Sequence, residues 1–159
     1  HLMIEEPREK LDWFLFGEND LVSVHMEATK HMEETLAGIR RRGATPAIAI
    51  NPSTPLESVL PFLPMIGMLL VMTVQPGFAG QTMTQDSLEK ITRARRMLDH
   101  AGHSDIRLEV DGNCSFENIP KMRAAGADLF VAGSSSIFQP NLTISEGVQR
   151  FRTALRDSC

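Results

Sequence analysis

A chain of 159 residues has the bulk for one domain with a real core, and its net charge of −4 argues against a nucleic-acid binder. Hydrophobic residues make up 42% and charged residues 23%, as in ordinary globular proteins, and no run approaches the roughly 18 apolar residues of a membrane span. Cys114 and Cys159 make neither a metal-type spacing nor a disulfide framework, and no signal peptide opens the chain, so a reduced, cytoplasmic setting is expected.

His1-Leu2-Met3-Ile4 reads either as a tag scar or as the end of a strand. Pro7 suits the first turn of a helix that Arg8 to Phe16 continue, with Leu11, Phe14 and Leu15 on one face. Leu21 to His25 is a strand. Met32 to Arg42 is a helix with Met32, Leu36 and Ile39 on one stripe, and Arg40, Arg41 and Arg42 form its polar end. Ala47 to Ile50 is a strand. Pro55 to Leu63 is a short helix capped by Ser53 or Thr54.

Met68 to Val74 is an apolar strand that ends abruptly in Pro76, Gly77, Phe78, Ala79 and Gly80. Asp86 to Ala101 is a long helix, Ile106 to Val110 a strand, and Phe116 to Ala125 a helix despite Pro120. Leu129 to Ala132 is the fifth full strand and Ser145 to Arg156 the last helix. Short strands without polar alternation, each followed by a helix, predict a parallel α/β fold. Read from this pattern alone, the sheet could be an open, doubly wound one.

Three strand ends carry similar equipment: Gly77 and Gly80 after Val74, Gly112 and Asn113 after Asp111, and Gly133 and Ser134 after Ala132. Glycines there expose backbone N–H groups that can cradle a phosphate. The anion would sit between the loops at Gly112, Gly133 and Ser134, held by dipoles because no Arg or Lys lies in them. Asp111 is a carboxylate at a strand end. It could cap the following helix, but Ser115 is better placed for that. Alternation puts His25 and Glu27 on one face, where a satisfied interior pair is the simpler reading. Met72 reads more simply as core. Lys10, Lys30, Lys90 and Lys121 stand at no strand end, which argues against a Schiff-base enzyme.

The stretch Leu70 to Gln81, LVMTVQPGFAGQ, resembles the signature that follows strand six in the ribulose-phosphate 3-epimerase family. HLM at His1, SVHMEA around His25 and VDGNC around Asp111 are similar to other motifs of that family, and the resemblance runs from His1 to about Phe151. It implies a (β/α)8 TIM barrel of the ribulose-phosphate-binding type. Residues 1–159 would be its C-terminal three-quarters, a single domain without the first two βα units.

The implied activity is metal-dependent epimerisation at C3 of a ketose phosphate, D-ribulose 5-phosphate to D-xylulose 5-phosphate, through an enediolate with two acid/base groups. Asp111 would be one of those groups and, with His1, a ligand of a divalent zinc, iron, manganese or cobalt ion. His1, Met72, Gly77, Phe78, Ala79 and Gly80 would line the substrate site together with Gly112, Asn113, Gly133 and Ser134. The family's other acid/base group and remaining ligands have no counterpart here, so these residues alone are expected to be inactive. The expected partner is a small sugar phosphate, not nucleic acid or membrane, and a homo-oligomer is expected.

Where the family has VDGG, this sequence has Asn113 as the fourth residue. That puts one backbone phosphate contact in question and resembles the allulose-6-phosphate branch. A non-catalytic phosphosugar-binding barrel is the alternative of another class.

Overall fold

A computed structural model describes residues 1–156; Cys159 lies outside them. Five parallel strands, β1 (Leu21–His25), β2 (Thr45–Ile50), β3 (Met68–Met72), β4 (Arg107–Asp111) and β5 (Leu129–Phe130), pair in strict sequence order. Leu2 adds a parallel bridge to Val24, and its N–H donates to the Ser23 carbonyl at 2.9 Å. The HLM segment therefore lies parallel to β1, joined to it by this one bridge and not by a full strand. Unbroken order means that every crossover steps the same way, as in the wall of a barrel; a doubly wound sheet reverses direction.

Among the described residues four α-helices, α1 (Met32–Arg41), α2 (Ser87–His100), α3 (Asn118–Ala124) and α4 (Ile144–Arg156), follow β1, β3, β4 and β5. Their starts are local chemistry. Thr143 Oγ1 accepts from the Glu146 N–H at 3.2 Å while Glu146 accepts from the Thr143 N–H at 2.9 Å, a reciprocal capping box. Ser115 Oγ accepts from the Asn118 N–H at 3.2 Å, so Ser115 serves the start of α3 and Asp111 does not. Pro120 sits in the first turn, where its missing N–H has no intrahelical partner to lose.

The expected helix at Arg8–Phe16 is instead a short 3-10 helix, Pro7–Trp13, with Phe14 already extended. Leu11 is buried while Leu15 is fully exposed, so the anticipated apolar face has one anchor and cannot hold a longer helix. The segment expected at Pro55–Leu63 is likewise 3-10, over Leu56–Met65, with no side-chain cap. Pro61 and Pro64 each remove a donor from the α ladder there. β3 ends at Met72, short of Val74, and β5 at Phe130, short of Ala132.

The two faces of the sheet differ in content. Val22, Val24, Ile48, Ile50, Leu69, Val71, Leu108 and Val110 pack against Leu36, Ile39, Ile91, Leu98, Ile119 and Met122 from the helices. Each such side chain contributes on the order of 1.5–3 kcal/mol when fully buried, so stability rests on this layer. The opposite face carries Ala49, Leu70 and Met72 as a small separate cluster. Alternation places Ser23, His25, Glu109 and Asp111 on that same face. With the core made elsewhere, this face is free to hold polar groups.

Candidate active site

The carboxyl ends of β3, β4 and β5 open into a cleft of about 350 Å³. The strand register sets Met72 beside Asp111, and both line the cleft. Gly112 and Asn113 form its wall from β4, Gly77, Phe78 and Ala79 from the loop after β3, and Gly133 and Ser134 from the loop after β5. The structure thus brings together eight of the expected residues besides Asp111.

Gly80 and His1 are not among the lining residues. His1 lies on the β1 side, where its Nδ1 is 2.8 Å from Ser23 Oγ and its Nε2 is 3.1 Å from His25 Nε2. Met3, two residues on, reaches the cleft instead. No Lys or Arg is among the described residues that line it, so an anion there would meet backbone dipoles.

Two strand ends are interlocked beneath the cleft. Thr73, fully buried, donates its N–H to the Asp111 carbonyl at 2.8 Å, and its hydroxyl donates to the Asp111 and Gly112 carbonyls. Gly112 has φ 115, and a Cβ there would stand 2.9 Å from the Val74 backbone nitrogen. Only glycine permits this approach and this backbone angle together.

Burial pushes the Asp111 carboxyl up; the Gly112 N–H and the charge of His25 partly oppose it. Burial also raises Glu109, and the Asp111 charge raises it further. Glu109 was not anticipated, although its signal, alternation with Asp111 in LEVD, is plain in the sequence. Cys114 lines the cleft too, but burial pushes its thiol up to about 12, which leaves it neutral and unreactive.

Beside the cleft, Glu27 braces the loop after β2. Its carboxylate accepts from the Asn51 N–H at 2.9 Å and from the Thr54 hydroxyl, and its other oxygen is 3.3 Å from His25 Nδ1. Burial alone would raise its pKa, but these bonds outweigh it and hold the carboxyl at about 2. From the other side the Lys90 ammonium donates to the carbonyls of Asn51, Pro52 and Thr54 at 2.8, 2.9 and 2.6 Å, and burial lowers its pKa. A lysine on a helix gave no sequence signal for this reach.

Among the described residues no three His, Cys, Asp or Glu side chains converge to hold a metal ion. Both ring nitrogens of His1 already have partners in Ser23 and His25. The donors present do not by themselves fit a metal, since a catalytic site typically uses three protein ligands.

The model of the ribulose-phosphate 3-epimerase family matches residues 1–138. The chain is 38% identical over 141 residues to the ribulose-phosphate 3-epimerase of Serratia marcescens, covering 89% of this chain and 67% of that protein. It is 39% identical over 135 residues to the Bacillus subtilis enzyme of the same name, covering 85% of this chain and 62% of that one. The Synechocystis enzyme is 40% identical over 143 residues, with 89% and 62% covered. The chain therefore spans just under two thirds of the length of most of these relatives. Among solved structures, 3-hexulose-6-phosphate synthase from Salmonella typhimurium aligns with a TM-score of 0.64 over 97% of this chain and 68% of its own, at 15% identity, a likeness of fold.

Proposed function

The chain belongs to the ribulose-phosphate 3-epimerase family, and on that premise we propose that its protein epimerises a ketose phosphate at C3, converting D-ribulose 5-phosphate to D-xylulose 5-phosphate. The observation that carries this reading is Asp111: a carboxylate on the floor of a cleft, raised by burial, beside three glycine-bearing loops suited to an anion. Epimerisation takes a proton from C3 and returns one to the opposite face. An acid/base group serves best when its pKa lies near the working pH, and burial moves Asp111 that way. Asp111 acts on one face. The group on the other face comes from outside the residues that line this cleft. Met72 and Met3 present apolar surface that excludes water from the reacting carbons.

The phosphate is held by the backbone at Gly112, Gly133 and Ser134. A divalent metal (zinc, iron, manganese or cobalt) belongs to the proposal only as the resemblance implies it, with Asp111 as one ligand and His1 as a second that would first have to release Ser23 or His25. Two donors fall short of a catalytic set, and no proton-transfer step is assigned to the metal. A single barrel domain, a cytoplasmic setting and a homo-oligomer complete the reading.

Asn113 favours a second substrate, D-allulose 6-phosphate, because a polar residue follows Asp111-Gly112 as in that branch. The test is turnover of both sugar phosphates by the full-length protein and by its Asp111→Asn variant. Conversion of one or both by the unaltered protein, abolished in the variant, is expected. Binding of both sugars with no conversion would instead favour a non-catalytic phosphosugar-binding barrel.

A further inference from the structure

The loop from Gln75 to Gln81 covers one side of the cleft without packing to hold it. Phe78 at its tip is 73% exposed. A Cβ added at Gly77 or Gly80 would meet nothing within 4 Å, and both glycines have positive φ, 134 and 83. A segment with few buried contacts belongs to the low-stability end of a fold.

Side-chain amides fix it instead. Gln81 Nε2 donates back to the Gln75 and Phe78 carbonyls at 2.6 and 2.8 Å, which closes the loop on itself. Asn113 Nδ2 donates to the Gln81 carbonyl at 2.9 Å, which ties the closed loop to the end of β4. Asn118 Nδ2 donates to Asn113 Oδ1 at 2.6 Å and so orients the Asn113 amide. Asn113 itself has φ 48, a left-handed angle that asparagine tolerates and glycine takes at lower cost. What glycine lacks is the amide.

We infer that Asn113 is a positioning residue: with Asn118 behind it, its side chain latches the Gln75–Gln81 loop over the cleft and so sets the backbone that meets the sugar phosphate. The inference rests on the epimerase reading for its consequence in turnover, but the latch is measurable without it. Asn113 lines the cleft, while its amide faces the loop and Asn118, so its side chain serves the site by holding another element in place.

The test compares the full-length protein with Asn113→Gly and Asn118→Ala, by backbone 15N relaxation without ligand and by steady-state kinetics. Loss of the latch should drop the order parameters of the Phe78, Ala79 and Gly80 amides from about 0.85 to below about 0.6, with α2 and α4 unchanged. KM for whichever sugar phosphate is turned over should rise about five- to tenfold, the factor for one net hydrogen bond, with kcat within about threefold. Asn118 does not line the cleft, so a raised KM in Asn118→Ala reports positioning and not a lost substrate contact. Unchanged loop order parameters in both variants overturn the latch. A looser loop with unchanged KM overturns its role in positioning substrate. An unaltered protein that turns over neither sugar phosphate overturns the epimerase reading, and the loop order parameters then decide for or against the latch by themselves.

Discussion

Single residues beside the cleft have their charge state set by the groups around them. The Glu27 carboxyl stands at about 2, against 4.5 for an ordinary glutamate, because three donors converge on its charged form. A depressed carboxylate adds stability that is full above the ordinary range and is lost as the pH falls through about 4.5 toward 2. Glu27→Gln should therefore cost about 1–2 kcal/mol at pH 7, a figure reduced for its partial exposure to solvent. The gap between variant and parent should narrow steadily as the pH falls from about 4.5 and close only below pH 2, as read by urea unfolding across that range. A gap that does not change with pH would mean that the carboxylate charge contributes nothing.

Gly133 and Ser134 separate backbone from side-chain recognition. A Cβ at Gly133 meets nothing within 4 Å and its φ is ordinary, so Gly133→Val should fold normally while filling cleft space. Its KM should rise more than about tenfold, against two- to threefold for Ser134→Ala, since a backbone cradle outlives the loss of one hydroxyl. A more harmful serine change would move recognition to the side chain.

Elements here are organised by their ends. β3 ends at Met72, and the last bond of its ladder with β4, from the Thr73 N–H to the Asp111 carbonyl, is reinforced by the Thr73 hydroxyl, which donates to the Asp111 and Gly112 carbonyls. Thr73→Val keeps the shape and removes the buried donor, so the full-length protein should lose about 1–3 kcal/mol, measured by urea unfolding. A neutral change would show that the Thr73 N–H alone secures the junction.

This is also the scale at which sequence reading worked unevenly. The strands were legible because parallel strands buried on both faces leave continuous apolar runs, as in Met68–Met72. Asp111, Gly77, Gly112 and Gly133 were legible as strand-end residues, and the structure sets all four around one cleft. The 3-10 segments were not. Apolar spacing at Leu11, Phe14 and Leu15 mimics a helical face, and only tertiary contact reveals that Leu11 alone is buried. The reach of Lys90 and the Asn118–Asn113–Gln81 chain were equally hidden, since they join residues up to 39 positions apart through contacts that no local pattern encodes.

At the scale of the molecule, strict strand order turns five separate βα units into one wall with a common chemical rim. Helices supply the core on one face, and the other face is left to His25, Glu109 and Asp111. The central claim is that Asp111 at this rim exchanges the proton at C3. Turnover of D-ribulose 5-phosphate by the full-length protein in deuterium oxide, followed by proton NMR at C3, tests it most directly. The account predicts deuterium at C3 of the D-xylulose 5-phosphate formed, and a fall of at least about 10³-fold in the rate of its appearance with Asp111→Asn. Deuterated product formed by that variant at close to the parent rate would contradict it.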